Sequence, residues 1–361
     1  MLVDLDYFFA QCEELRNPSI KDKPVVIGVY SGRTENSGAV STSNYIARKH
    51  GVKSGIPLYL AKKRLENTEA VFLPVDHEFY QQISNKIMNT LRQYADSFEQ
   101  VGIDEAYLDV TRKTRGSFET AATLAAKIKD EVRKQHGISF SIGIAPNKLV
   151  AKIACDSQKP DGLTVIKPAE ISAFLSPLPV DRLLGVGRKT SARMETLGIR
   201  TIGELARYDV QKLTETFGKN LGIYFHNAAN GVDDEPVRET GETESISRIA
   251  TLKENTRDLT VILEKTDKLT KDIHEEILQR KLAFSQVGII AVMADLSVRS
   301  RSQTLETSTN DDEALRKIAK SLFEKFLDEA EHLGIRRVGV KVSRLAKEET
   351  GQEQLTSFFN G

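Results

Sequence analysis

The sequence predicts an α+β protein built from several domains. The 361-residue chain is longer than one core usually supports, strand-like and amphipathic-helix segments alternate toward both ends, and the stretch between reads as helices alone. Single cores rarely grow past about 300 residues. A hydrophobic fraction of 40% with 28% charged residues excludes wholesale disorder.

The elements follow in order. Residues 2–9 predict a first strand. Residues 71–75 are extended, and 76–98 predict a helix with Phe79, Ile83, Ile87, Met88 and Leu91 at apolar helical spacing. Residues 101–110 predict a strand around an acidic pair, 118–135 a second amphipathic helix, and 138–144 an alternating strand. Such helices over a small sheet make one α+β layer, interrupted by an insertion at 17–73. Residues 168–230 read as short helices joined at Gly185, Gly187, Gly198 and Gly218. Residues 231–243 are polar, acidic and contain Pro236, the composition of a linker. Then come strand (246–252), helix (259–281), two strands (287–298 and 301–306), helix (313–333) and strand (337–343), a βαββαβ unit able to fold alone. A polar tail, 346–361, ends in Phe358-Phe359.

Charge and cysteine usage narrow the function. With 51 basic and 51 acidic residues the net charge is zero, yet Arg336, Arg337, Lys341 and Arg344 fall in an acid-free strand beside an acid-rich helix, so the total decides nothing about nucleic acid. Cys12 and Cys155 are too few for a thiolate zinc cluster and fit a reducing, cytoplasmic setting. The longest apolar run, 287–294, is far short of the ~20 residues a membrane span needs. The start, Met1-Leu2-Val3-Asp4-Leu5-Asp6, has no basic segment of a secretory signal, so no export is expected.

Three constellations carry chemistry. Asp4 and Asp6 share a face if their segment is a strand, and Asp104-Glu105 lies a hundred residues later, both within apolar surroundings. Buried carboxylates need a cationic partner or a metal. Each pair alone fits a salt bridge or a wet strand end; both in one small sheet favour a Mg²⁺ site. In the run 42–49, Thr42, Tyr45 and Arg48 recur every third residue, one helix face able to grip phosphate oxygens, though a solvated face gives the same string. Finally, Gly185, Gly187, Arg188 and Lys189 open a helix, the form of a hairpin that holds a nucleic-acid backbone through N–H groups; a plain inter-helix turn is the alternative.

These motifs, with DLDYFFA (4–10), SGAVSTSNYIARKHGVKSGIP (37–57), IDEAYLD (103–109), SIGIAPNKLVAKIACDSQKPDG (141–162) and LLGVGRKT, resemble the Y-family translesion DNA polymerases of the DinB or DNA polymerase IV branch, with the archaeal members the nearest. The resemblance spans nearly the whole chain. It implies a right-hand polymerase: a ferredoxin-like palm (1–10 and 75–166), small fingers (11–74), a helical thumb with the hairpin (167–231), a linker (232–243) and a DNA-binding little finger (244–346). It implies two Mg²⁺ ions on Asp4, Asp104, Glu105 and the Leu5 carbonyl, and it excludes Asp6 as a ligand. Thr42, Tyr45, Arg48 and Lys159, with the Tyr7 and Phe8 N–H groups, are then the triphosphate ligands. Phe9 is the steric gate against ribonucleotides, and Ala39, Ser41 and Gly55 lie near the templating base. Gly185, Gly187, Arg188, Lys189, Arg248, Arg299, Arg301, Arg336, Arg337, Lys341 and Arg344 are expected against DNA phosphates. Gln352, Leu355, Phe358 and Phe359 resemble a sliding-clamp-binding peptide. The implied activity is template-directed, low-fidelity synthesis from dNTPs on primer-template DNA by a monomer without proofreading. Gly102 departs from the family's usual serine without removing a ligand. A non-catalytic DNA-binding scaffold and another carboxylate–Mg²⁺ enzyme, such as a nucleotidyl cyclase, are the competing readings. The first does not need the acids, and the second leaves the hairpin, basic strand and tail unused.

Overall fold

The computed structural model describes residues 1–239, 241, 243–329 and 333–347. They fall into two compact units. The first comprises Met1–Val29, Val40–Ile56 and Leu60–Gly241; the second comprises Tyr30–Ala39, Pro57–Tyr59 and the described residues after 241.

The first part of the chain runs β1 (Leu2–Leu5), α1 (Phe8–Arg16), β2 (Val25–Tyr30), β3 (Gly38–Ser43), α2 (Tyr45–Lys49), α3 (Leu58–Arg64), β4 (Val71–Pro74), α4 (His77–Arg92), β5 (Ser97–Gln100), β6 (Glu105–Asp109), α5 (Phe118–His136), β7 (Phe140–Ile144), α6 (Lys148–Ser157) and β8 (Leu163–Val165). Strands β5-β6-β1-β7-β8 make one sheet with β1 central; β3-β2-β4 make a second. Alternation along β1 decides what each face receives. Val3 and Leu5 enter the main core with Ile87, Met88, Ala125 and Ile128 of α4 and α5. Leu2 turns the other way, onto Ala151 and Cys155 of α6. Asp4 shares that second face.

Side chains on the bounding residues set the helix ends. Asp76, Ser117 and Asn147 cap α4, α5 and α6 by accepting from Phe79 N, Thr120 N and Val150 N, and Gly137 closes α5 at φ +68°.

Several boundaries differ from the sequence reading. The strand expected over 2–9 stops at Leu5, because Tyr7 adopts φ +37° and starts α1. The expected palm–fingers boundary at 10/11 falls inside α1, whose Phe8, Ala10 and Cys12 belong to the sheet's core. The helix expected over 76–98 ends at Arg92, since Ser97–Gln100 pairs with β6 as a strand. Residues 101–104 form a turn closed by Val101 N and Gly102 N on the Glu105 carbonyl, so Asp104 precedes its strand. Thr42 lies in β3, which ends at Ser43; α2 begins only at Tyr45.

Helices α7 (Ile171–Leu175), α8 (Arg188–Thr196), α9 (Ile202–Arg207), α10 (Val210–Phe217) and α11 (Lys219–Ala229) follow. Their core, with Leu183, Met194, Ile202 and Phe225, is shared with Leu149, Val150, Ile153 and Ala154 of α6. The segment read as a linker is fastened to the first unit over its described early part. Asn147 Nδ2 donates to the Gly231 carbonyl (2.7 Å), Leu149 N to Asp233 (2.9 Å) and Arg238 N to Glu99 (3.2 Å).

The second unit contains β9 (Ser245–Thr256), α12 (Leu259–Arg280), β10 (Leu282–Met293), β11 (Val298–Thr309), α13 (Asp312–Glu329) and β12 (Ile335–Lys347), the expected βαββαβ order with longer strands. The antiparallel sheet β11-β10-β12-β9 has its core, including Val338, Val340 and Val342, on the face covered by α12 and α13.

Gly143 marks where α6 comes closest to the first sheet. A Cβ there would stand 2.0 Å from the Ala151 carbonyl oxygen and 2.5 Å from Cys155 N. Gly143→Ala is expected to cost ~3 kcal/mol or more by overpacking and to lower the melting temperature by roughly 6 °C or more. An unchanged thermal transition would show that α6 can be moved off the sheet without penalty.

Candidate active site

The register sets Asp4 opposite Glu105 across β1 and β6, and Leu5 N bonds to the Asp104 carbonyl (2.8 Å). The three acids therefore meet at one end of the sheet, on the side facing α6. From α6, Lys152 Nζ reaches both Asp4 Oδ2 (3.0 Å) and Glu105 Oε2 (3.1 Å). Lys159 Nζ reaches Asp4 Oδ2 (2.5 Å) and Asp156 Oδ1 (2.8 Å). Asp156 also stands 3.7 Å from Lys152.

Burial pushes the Asp104 carboxyl up, reinforced by the charge of Asp4. Burial likewise raises Glu105, partly opposed by Lys152. For Lys152 burial favours loss of the proton, but Asp4, Glu105 and Asp156 together outweigh it and hold the ammonium charged.

Asp6, equal to Asp4 by strand alternation, is occupied differently. Its Oδ1 accepts from Ser141 Oγ (2.9 Å) and its Oδ2 from Asp161 N (2.7 Å), which anchors the loop after Lys159. Asp161 is held from its own side by Lys129 (2.8 Å) and Arg133 (2.6 Å).

Asp4, Asp104, Lys159, Thr42, Tyr45 and Arg48 all line one cavity of about 250 Å³, with Leu5 to Phe9 along its floor. Thr42 reaches it from the end of β3 and the other two from α2, so the shared face survives although Thr42 is not helical. Tyr45 meets Tyr7 edge-on at 5.4 Å, and the Arg48 guanidinium lies 4.6 Å over the Tyr45 ring. The α1 N-terminus opens here with no side-chain cap on its first N–H groups, beginning at the left-handed Tyr7. That is the form of an anion site. Phe9 stacks on Tyr80 (4.4 Å, 20°), whose hydroxyl donates to buried Glu13 (2.9 Å). Ser41 lines the cavity and Ala39 and Gly55 do not; Ser54 does so instead.

Among the described residues no three Asp, Glu, His or Cys side chains are set to close on one ion as they stand. The donor set nevertheless suits a hard cation: oxygen ligands only, with the Lys152 ammonium already bridging two of them.

Away from the cavity, Gly185 takes φ +84° beside Tyr224, whose hydroxyl bonds to the Leu184 carbonyl (2.9 Å). Gly187 precedes α8 without a side-chain cap, and Arg188 and Lys189 are exposed. In the second unit the expected basic residues divide between the two faces of the sheet. Arg337 and Lys341 alternate with buried Val338, Val340 and Val342, so they lie on the face without helices. The Arg337 Nε is shielded there with no hydrogen-bond partner. Arg248 stands opposite Val340 and Arg301 opposite Ile289, on the helix side, where they pair with Glu276 and Glu329. Arg299, opposite Ala291, shares that side. Arg336 sits at the irregular start of β12, and exposed Arg344 has φ +54° near its end. Gln352, Leu355, Phe358 and Phe359 lie outside the described residues.

Sequence reasoning missed Lys152, Asp156 and Asn44. The first two sit four apart on α6 within a motif already noted, and a cation amid paired acids was the available signal. Buried Asn44 caps α2 and bonds to Val25 N, Ala47 N, Glu14 and the Lys23 carbonyl, tying the cavity's cationic wall to α1. No helix among the described residues is long and apolar enough to cross a membrane.

Comparison with known proteins places these features in context. The profile of the impB/mucB/samB family matches residues 3–156, that of its C-terminal domain residues 243–357, and that of a DNA polymerase-iota thumb domain residues 181–233. DNA polymerase IV of Nitrosopumilus maritimus is 46% identical over 358 residues, covering 99% of this chain and 98% of that protein. DNA polymerase IV of Saccharolobus solfataricus is 38% identical over 360 residues, covering 100% and 99%. Among solved structures, a Y-family DNA polymerase chimera of Dbh and Dpo4 matches with a TM-score of 0.90 at 38% identity over 96% of this chain and 98% of that one. The insertion ternary complex of Dbh DNA polymerase matches at 0.69, with 38% identity over 96% and 98%.

Asn44→Ala should leave four polar groups unmatched and lose the α2 cap, at about 2–4 kcal/mol. The expected readout is a melting temperature lowered by roughly 4–10 °C; a shift under about 1 °C would mean that Asn44 does not secure this wall.

Proposed function

The chain belongs to the impB/mucB/samB family and is a Y-family DNA-directed DNA polymerase of the DNA polymerase IV type, and from that premise we propose that Asp4, Asp104 and Glu105 form its nucleotidyl-transfer centre for synthesis past damaged template. One observation carries the reading: Asp4 and Asp104 line the same cavity as Thr42, Tyr45, Arg48 and Lys159, with Glu105 tied to Asp4 through Lys152. A nucleic-acid binder without catalysis has no use for a buried acidic cluster beside an anion site.

Two Mg²⁺ ions on Asp4, Asp104, Glu105 and the Leu5 carbonyl would activate the primer 3′-hydroxyl and neutralise the departing pyrophosphate. The chain's own residues bind and orient. Arg48 and Lys159 neutralise the triphosphate oxygens of a dNTP, Thr42 and Tyr45 donate hydroxyl hydrogen bonds, and the Tyr7 and Phe8 N–H groups meet the phosphates at the start of α1. Lys159 must leave Asp4 and Asp156 to do so, exchanging carboxylate for phosphate. Asp6 holds the loop that carries Lys159. Most of the acceleration is positioning and charge stabilisation.

Phe9, stacked on Tyr80, is the gate beneath the sugar. Ser41, with Ala39 and Gly55, leaves room over the templating base, which suits lesion bypass at low fidelity. The Gly185–Lys189 hairpin and the open face carrying Arg337 and Lys341 hold the primer-template by its phosphates. Arg248 and Arg301 join only by giving up Glu276 and Glu329; Arg299 shares their side, and Arg336 and Arg344 lie near the two ends of β12. The palm, fingers, thumb and little finger take the spans given above, except that α1 stays whole with the palm. The tail, through Gln352, Leu355, Phe358 and Phe359, engages a sliding clamp, and the protein works as a monomer in the cytoplasm.

Primer extension tests this reading. Asp104→Asn should reduce Mg²⁺-dependent extension at least about a hundredfold while DNA binding persists; undiminished extension overturns the assignment. Phe9→Ala should raise ribonucleotide relative to deoxynucleotide incorporation by about tenfold or more, a change of about 1.4 kcal/mol. Unchanged sugar selection would remove Phe9 from the gate.

A further inference from the structure

Lys152 is the only one of the cleft's two lysines shared between two strands' carboxylates, Asp4 on β1 and Glu105 on β6. We propose that Lys152 is a resident cation that stands in for the divalent metal in the free protein, and that Asp156 is the seat to which it withdraws when Asp4 and Glu105 take up metal. The inference rests on the reading of Asp4, Asp104 and Glu105 as metal ligands.

Three features support it. The ammonium is nearly equidistant from the two carboxylates, at 3.0 and 3.1 Å, as a bridging ion would be. Next, the second seat is built in: Asp156 lies one helical turn along α6, 3.7 Å from Nζ, and a side chain can change partners within an i,i+4 pair without moving the helix. Last, α6 packs backbone to backbone on the sheet at Gly143, where a Cβ would stand 2.0 Å from the Ala151 carbonyl oxygen, so moving the helix as a body would break that packing. The exchange therefore falls to the side chain.

The consequences are thermodynamic. A divalent ion must displace a charge that already satisfies its ligands, so its affinity is reduced by the fraction of molecules in which Lys152 bridges them. In return the clustered acids stay compensated when no metal is bound. An incoming triphosphate offers Lys159 another anion and so frees Asp156 to receive Lys152. Metal and nucleotide are thereby coupled without a domain movement.

The test is Mn²⁺ binding by the full chain without DNA or nucleotide, read from the free-Mn²⁺ paramagnetic resonance signal, with Mn²⁺-dependent melting in parallel. Lys152→Met should tighten Mn²⁺ at least about fivefold, whereas Asp156→Asn should weaken it about threefold or more because Lys152 has lost its second seat. Lys152→Met should also melt lower than the parent in chelator and gain more from Mn²⁺. Should it fold only with Mn²⁺ present, that dependence supports the same competition. Equal or weaker Mn²⁺ binding by Lys152→Met, or equal binding by Asp156→Asn, overturns the inference. Asp4→Asn separates the underlying reading: if it binds Mn²⁺ as the parent does, the acids are not metal ligands and both conclusions fail together. If it alone loses binding while the Lys152 and Asp156 variants do not change, only the stand-in role fails.

Discussion

The structure is organised around a cost: four carboxylates, Asp4, Asp104, Glu105 and Asp156, crowd one small cleft. Burial and mutual repulsion push Asp104 and Glu105 upward, and such a cluster persists only where cations compensate it. Here Lys152 and Lys159 do so. Under the proposed function, these lysines hold the acids compensated until another cation takes their place.

The scaffold can be read from that requirement. The β1–β6 register brings Asp4 against Glu105, and the turn at 101–104 turns Asp104 toward the same end. Gly143 lets α6 approach closely enough to deliver Lys152. The left-handed Tyr7 stops β1 and opens α1 at the cavity, so acids and N–H donors lie within a few residues of each other. Asp6, beside them in sequence, fixes the Lys159 loop instead.

Much of this was legible in the chain. The two acidic pairs, the Thr42–Tyr45–Arg48 spacing and the βαββαβ order are local patterns that residue type and periodicity express directly. What was hidden depended on partners distant in sequence. The segment from Leu5 to Phe9, apolar apart from Asp6, satisfies strand alternation as well as a helix start, and only the Tyr7 backbone separates them. Ser97–Gln100 continues a helical pattern, yet pairing with β6 makes it a strand. Basic residues of the second unit looked like one set, but register places Arg248 and Arg301 on the helix side beside Glu276 and Glu329, leaving Arg337 and Lys341 on the open face. Lys152 was unremarkable as a letter in α6; its meaning comes from residues 148 and 47 positions away.

Anomalous diffraction from crystals grown with primer-template DNA, a non-hydrolysable dNTP and Mn²⁺ tests the account most directly. It predicts Mn²⁺ at about 2.1–2.2 Å from oxygens of Asp4, Asp104 and Glu105, somewhat longer than the ~2.0–2.1 Å of Mg²⁺, with the triphosphate against Arg48 and Lys159 and the Lys152 ammonium no longer touching Glu105. Anomalous peaks bound by other side chains, with these carboxylates still held by the lysines while nucleotide is present, would contradict it.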